Sequence, residues 1–194
     1  MLIFWEQRLV FLATPKAGST AIEAALEPLA SAAILRPAPL KHTNIAQFHQ
    51  YLGPWLEAQA NAPFSTVALM REPVDWLRSW YRFRQRDDHE DAVHDAEDTS
   101  FARFAADYSQ PDGPDRLNIG RQRDFLIDGA GRVDQIFRYE DFAAFVEYLE
   151  DRLNCALEMP RLNVPPSADV ELDDADEGRL REAMWQDMEL YRSL

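Results

Sequence analysis

Short apolar runs alternate along the chain with longer stretches in which apolar residues recur every three or four positions. Residues 2–5, 9–13, 32–35, 66–70 and 135–139 have the length and boundaries of strands, and the first two stand either as a hairpin or as separate strands. Helical spacing covers residues 18–27, where Pro28 forces an end, and then 45–58, in spite of Gly53 and Pro54. It returns over 74–86, 100–108 and 121–127, the last two separated by the turn Pro111-Asp112-Gly113-Pro114. Phe142, Phe145, Val146, Leu149 and Leu153 mark one face of an amphipathic helix, and Leu180, Met184, Met188 and Tyr191 mark a final one. Strands alternating with helices predict an α/β fold of three layers, a central mostly parallel sheet flanked by helices. Ligands are then expected at the carboxyl ends of the strands.

Composition sets the outer bounds. With 194 residues, 46% of them hydrophobic, the chain can bury one sizeable core, and a single domain over 1–194 is the expectation. Residues 1–5 are too short for a secretory apolar region, polar residues 6–8 interrupt them, and no run approaches a membrane span. Cys155 is the only cysteine, which excludes an intrachain disulfide and a cysteine-based zinc site and fits a reducing cytoplasm. A formal charge of −14 argues against nucleic acid and anionic membranes as partners. Much of that acid is segregated into residues 87–98 and 171–177, and screening over about 8 Å at physiological salt lets such runs coexist with a basic pocket. His89 and His94 lie within the first acidic run without metal-ligand spacing, so a solvated loop and no metal are expected.

The strand at 9–13 leads directly into Thr14-Pro15-Lys16-Ala17-Gly18-Ser19-Thr20 and then into a helix. Amides at a helix start point outward, the positive end of the helix dipole favours an anion there, and Lys16, Ser19 and Thr20 add one charge and two hydroxyls. A Walker loop has its lysine after the second glycine, whereas Lys16 precedes the loop's only glycine, so an ordinary ATP or GTP site is not indicated. A helix start capped by Ser19 or Thr20, with Gly18 relieving a turn, is the purely structural alternative.

A second segment has the same character. After the buried run at 67–70 come Arg71-Glu72-Pro73-Val74-Asp75-Trp76-Leu77-Arg78-Ser79-Trp80-Tyr81, with Pro73 suited to open a helix and Val74, Leu77 and Tyr81 at helical spacing. Arg71 then sits at a strand's carboxyl end with Ser79 two turns into the helix, and an arginine offers a planar fork for phosphate oxygens. An ion pair of Arg71 with Asp75 or Glu72 is the structural alternative.

Together the two segments resemble the sulfotransferases that use 3′-phosphoadenosine 5′-phosphosulfate (PAPS). Pro15-Lys16-Ala17-Gly18-Ser19-Thr20 matches the family's 5′-phosphosulfate loop, and Arg71, Pro73, Ser79 and Tyr81 match its 3′-phosphate motif. The likeness extends weakly through Arg138-Tyr139-Glu140-Asp141-Phe142, Leu162-Asn163 and the closing segment 186–191. It implies a P-loop-nucleotide-hydrolase-like fold and a donor site made of Lys16, Ala17, Gly18, Ser19, Thr20, Arg71 and Ser79. It further implies in-line sulfuryl transfer to a hydroxyl on a saccharide, lipid or small metabolite, with Lys16 reaching the bridging oxygen of the donor.

Such a transfer needs a base for the hydroxyl proton. His42, in Leu40-Lys41-His42-Thr43, is the candidate, since cytosolic members of the family carry their catalytic histidine in a lysine-threonine-histidine segment between the two donor motifs. The order is transposed here. His49 and Glu140 are weaker candidates: a surface or helix-packing role suits His49 better, and a buried salt bridge suits Glu140 at least as well. The family's late glycine-rich basic loop has no counterpart, and Arg121 and Arg123 belong to the nearest basic segment. Two other classes fit the same residues: a nucleotide or small-molecule kinase, which needs a magnesium ligand and a complete Walker motif, and a non-catalytic protein that binds 3′-phosphoadenosine 5′-phosphate (PAP).

Overall fold

The four residues between β1 (Leu2–Phe4) and β2 (Leu9–Phe11) are too few for a crossover, so these strands pair antiparallel in the computed structural model, with Leu2 opposite Phe11 and Phe4 opposite Leu9. The structure describes residues 1–85, 100–129, 131–158 and 170–194. The acidic run with His89 and His94, and the pair Leu162-Asn163, lie outside the described residues. The chain divides into two compact units: the described residues of 1–71 and 122–162 with Leu194 form the first, and those of 72–121 and 163–193 the second.

The first unit holds the whole sheet. After α1 (Ser19–Leu26) and a 3-10 turn at Glu27–Leu29 come β3 (Ala32–Ala33), α2 (Ala38–Lys41), α3 (Ile45–Gln47), a π-helical turn at Phe48–Leu52, and α4 (Gly53–Ala60). The helix expected over 45–58 is thus interrupted rather than continuous. Pro54 lacks an amide and its ring would meet a carbonyl one turn earlier, and the wider π turn accommodates it. Then follow β4 (Ser65–Met70) and, in the second segment of this unit, α8 (Gln122–Leu126), β5 (Gln135–Arg138) and α9 (Phe142–Leu153), labelled in the order of the whole chain.

Strand order is β3-β1-β2-β4-β5, with β1 antiparallel to both of its neighbours and β2, β4 and β5 parallel to one another. The sheet is therefore mixed, with two antiparallel and two parallel pairings, where the alternation of strands and helices suggests a mostly parallel one. The hairpin accounts for the difference. Residues Leu2, Phe4, Leu9, Phe11, Val67 and Leu69 form one face and share a core with Ile22 and Leu26 of α1 and Phe145 and Leu149 of α9. Alternate residues Ile3, Val10, Ala68 and Met70 are buried too, so both faces of the strands are covered.

Register at the far side of the sheet is fixed by polar bonds as well as by packing. Asp134 Oδ2 accepts from the amide of Thr66 at 2.7 Å and from its hydroxyl at 2.8 Å, while Thr66 Oγ1 accepts from the Asp134 amide at 3.0 Å. Thr66 is buried, and these bonds pin β4 to the segment that leads into β5.

The second unit is helical: α5 (Pro73–Arg84), α6 (Phe101–Tyr108), the short α7 (Gly113–Arg116), α10 (Asp174–Ala183) and α11 (Trp185–Arg192). The turn expected at 111–114 continues into α7, and the closing helical pattern is two helices that part at Met184. Val74, Leu77 and Tyr81 of α5 share a core with Phe101, Phe104, Leu180 and Met188. Glu72 caps α5 by accepting from the Asp75 amide at 2.8 Å, and its other oxygen meets Arg181 at 3.0 Å. At Gly113 an added Cβ would lie 2.3 Å from the Asp107 carbonyl oxygen and 2.4 Å from that of Tyr108, so only glycine fits this corner.

Candidate functional site

Because β2 and β4 are adjacent and parallel, the segments that leave their carboxyl ends emerge at the same edge of the sheet. Those segments are the loop at 14–18 and Arg71. The Leu12 amide extends the ladder by donating to the Val67 carbonyl at 2.9 Å, after which Pro15 to Gly18 form a tight turn into α1. Two residues of the turn are left-handed, Lys16 with φ 61° and Gly18 with φ 76°. Glycine adopts this conformation without strain, whereas a lysine there costs on the order of 1 kcal/mol, a penalty that backbone segments retain mostly at binding or catalytic sites.

Gly18 is the N-cap residue of α1 and supplies no side-chain cap, so the first-turn amides and the positive end of an eight-residue helix face the loop. The capping role considered for Ser19 and Thr20 is not the one they take, since both lie inside the first turn. Ser19 is buried and Thr20 is exposed. At the loop's entrance Thr14 is 2% exposed, and its hydroxyl has no hydrogen-bond partner among the described residues. A buried hydroxyl in that state has an unmet hydrogen bond, which a polar group bound at the loop would satisfy.

Arg71 is the first residue beyond β4 and is itself buried. Its guanidinium donates to the Lys16 carbonyl oxygen at 3.3 Å and lies 4.8 Å from the centre of the Tyr139 ring. Its main chain is clamped by Gln122, whose Oε1 accepts from the Arg71 amide at 3.0 Å and whose Nε2 donates to the Arg71 carbonyl at 2.9 Å. Gln122 is only 1% exposed, so this two-bond clamp sits in a dry setting. Tyr139 is held in turn by its own amide, which donates to the Met70 carbonyl at 2.8 Å and so continues the parallel ladder past β5.

His42 ends α2 and reaches the same loop from another side. Its Nδ1 lies 2.6 Å from the carbonyl oxygen of Ala13, the residue before Thr14. A carbonyl only accepts, so Nδ1 carries the proton and Nε2 presents a lone pair. Burial holds the imidazole below its ordinary pKa, opposed by the Ala13 carbonyl and reinforced by the neighbouring Lys41 charge. With the shift in that direction the neutral form predominates at pH 7, and Nε2 is its unprotonated nitrogen.

Lys41 fastens this end of α2 to α1. Its ammonium is 2.8 Å from Glu23 Oε2 and 3.3 Å from Thr20 Oγ1, and the Glu23 carboxylate is almost fully buried. Glu23 is shared, since its Oε1 meets the Met1 terminal ammonium at 2.6 Å.

The structure therefore brings together Lys16, Ala17, Gly18, Ser19 and Thr20 with Arg71 and His42. Ser79 lies on α5 in the second unit and is 7% exposed. His49 is exposed in the π turn and pairs with Asp128 at 3.0 Å. Glu140 lies in the exposed turn after β5, and Arg123 meets Asp124 at 3.3 Å on the surface. Sequence reasoning missed Gln122 and the Lys41–Glu23 pair, for neither of which a local motif exists. Tyr139 falls in a segment that reasoning did single out, although not as the platform for Arg71.

A loop with two left-handed residues, a helix start without a side-chain cap, the buried arginine that follows β4 and the imidazole of His42 thus gather around residues 13–18. Among the described residues no group of three metal-ligating side chains gathers, and no helix is long and apolar enough to cross a membrane. No family model, curated protein or solved structure matches this chain.

Proposed function

We propose that the protein is a PAPS-dependent sulfotransferase, moving a sulfuryl group from PAPS to an acceptor hydroxyl by in-line transfer. The observation that carries the reading is convergence. Two segments 55 residues apart that match the donor motifs in sequence meet at the Arg71–Lys16 contact, and the histidine chosen from sequence bonds to the residue before that loop.

The residues fit the donor's 5′ end in charge and in donor count. PAPS brings an activated sulfuryl group on a good phosphate leaving group. In this reading Lys16, the Ser19 hydroxyl and the first-turn amides of α1 neutralise charge that builds on a leaving phosphate, in a P-loop-like arrangement with no Walker lysine; the left-handed turn and the helix start without a side-chain cap support it. Thr14 offers its orphan hydroxyl at the same loop. Arg71 supplies a second, buried cation, held rigid by Gln122 and Tyr139. His42 takes the proton from the acceptor hydroxyl at Nε2 while the Ala13 carbonyl fixes its tautomer and stabilises the imidazolium that forms. Lys16→Ala is then expected to lower kcat by about 10²–10³-fold, the cost of one preorganised electrostatic donor.

The lone cysteine suits a cytoplasmic location for this chemistry. The test is transfer of labelled sulfate from PAPS to a panel of phenols, alcohols and saccharides, run beside ATP with magnesium. Phosphate transfer from ATP, or PAP binding without turnover on any acceptor, would replace the reading with a kinase or a non-catalytic nucleotide-binding protein.

A further inference from the structure

Residues 40–43 serve two places at once. Lys41 meets Glu23 and Thr20 of α1 and His42 meets the Ala13 carbonyl, while Leu40 and Thr43 line a separate pocket of about 420 Å³ in the first unit. Gln47, Tyr51, Leu52 and Trp55, from α3, the π turn and α4, form much of the rest of its wall. Neither His42 nor Arg71 nor any residue of the loop at 14–18 lines it, so it is a second concavity, joined to the candidate site through this segment. None of the lining side chains is charged, in a chain where 28% of residues are charged. Among the described residues five large apolar side chains are exposed, and Leu40, Tyr51 and Trp55 are three of them. Isolated exposed apolar residues are ordinary, whereas three around one concavity of this size mark a ligand pocket.

Its polar groups are few and neutral. Thr43 Oγ1 donates to the Leu40 carbonyl at 2.8 Å, which leaves its lone pairs to accept. Gln47 commits Oε1 to the Asn44 amide in a capping box, which leaves its Nε2 to donate. Such a wall satisfies one or two neutral polar groups on a ligand. A saccharide would leave several buried hydroxyls without partners, and an anion would find no cation among the lining side chains. Tyr51 and Trp55 add aromatic surface suited to a flat apolar body.

The segment shared with the candidate site is weakly packed. No residue of α2 is buried, and its largest apolar side chain, Leu40, is 54% exposed. An element with so little apolar burial opens readily, and a ligand lying against Leu40 supplies the packing that α2 lacks. Whatever fastens residues 40–43 also fastens Lys41 at α1 and His42 at Ala13. We propose that the pocket is an effector site for a small, uncharged, flat apolar molecule, whose binding orders residues 38–43 and so strengthens nucleotide binding at the loop. The link to nucleotide rests on the sulfotransferase reading, and the pocket assignment does not. Coupling of this kind is reciprocal, so each ligand raises the affinity for the other by one factor.

The probe is prodan, a neutral propionyl dimethylaminonaphthalene whose emission moves to the blue in apolar surroundings. It carries no hydroxyl and no N–H, so it cannot itself accept a sulfuryl group. Titration of the whole chain should give saturable blue-shifted emission, and Trp55→Ala should weaken binding about tenfold or more. Trp55 is exposed, so its removal leaves the core intact, and circular dichroism checks this. Hydrogen exchange should slow on binding at the amides of Leu40, Lys41 and His42, which donate to the Pro37 and Ala38 carbonyls. With prodan saturating, PAP should bind about fivefold or more tightly, and prodan should gain the same factor from saturating PAP. Absence of prodan binding, binding indifferent to Trp55→Ala, or unchanged exchange at those amides overturns the pocket assignment. PAP binding that ignores prodan overturns the effector role and leaves the sulfotransferase reading standing. Failure of PAP to bind at all removes that reading and the coupling with it, while fluorescence and exchange still decide the pocket. Sedimentation of a dimer that Trp55→Ala dissociates would make the patch a face between two copies of this chain, and also overturns the assignment.

Discussion

Replacing Gln122 by leucine removes a nearly isosteric side chain whose two polar atoms both serve the main chain of Arg71. The amide of Arg71 loses its acceptor and the carbonyl loses its donor, in surroundings where Gln122 is 1% exposed and Arg71 is 8% exposed. Leaving one buried polar group unpaired costs about 1–3 kcal/mol, so the pair of groups should cost about 2–6 kcal/mol. That is a large share of the roughly 5–15 kcal/mol that stabilises a domain. Urea unfolding followed by far-ultraviolet circular dichroism gives the value. Arg71→Ala separates the two functions of this corner, because it keeps both main-chain bonds and deletes only the guanidinium with its contacts to Lys16 and Tyr139. It should lose PAP affinity while keeping more stability than Gln122→Leu. A loss under about 1 kcal/mol for Gln122→Leu would refute the reasoning, since water or relaxation would then be replacing the clamp.

For His42, kcat/KM should fall on the acid side with a midpoint below pH 6.5, because burial lowers the folded-state pKa from its ordinary value. A midpoint at or above that value, or an unchanged kcat in His42→Ala where a loss of about 10²–10⁴-fold is expected, contradicts the role of base. The same shift has a stability consequence: between the lowered folded pKa and 6.5 the unfolded chain binds more protons, so stability declines as pH falls through that window and is unaffected by His42 above it. Asp134→Ala should destabilise by about 1–3 kcal/mol, read as a lower Tm, because the buried Thr66 amide and hydroxyl lose their shared acceptor; an unchanged Tm would show that packing alone sets the β4–β5 register. Gly113→Ala should cost about 1–3 kcal/mol by pressing a methyl group against two main-chain carbonyls, and wild-type stability in that variant would mean that the α6–α7 corner opens freely.

Local features were the legible ones. The loop after β2, the strand before Arg71 and the start of α5 at Pro73 all announce themselves through residues within a few positions of one another. His42 was found because it stands between those segments, and its bond to Ala13 could not be foreseen from spacing. Gln122 shows the opposite case: an uncharged residue in a short helix, it acts on Arg71 from 51 positions away, and nothing in its neighbourhood signals that. The hairpin likewise decided the sheet's mixed character from a connection of four residues, where strand and helix alternation alone suggests parallel pairing. The π turn arose from a conflict between helical periodicity and Pro54, which marks the site of the break but not the form of its repair.

The most direct measurement is calorimetric titration of the intact chain with PAP, beside Lys16→Ala and Arg71→Ala. Saturable binding in the micromolar class, weakened strongly by each substitution, is the predicted result, because the Arg71 guanidinium bonds the main chain of Lys16 in that loop. Failure of the intact protein to bind PAP, or binding indifferent to both substitutions, would contradict the claim that this loop is a site for PAPS.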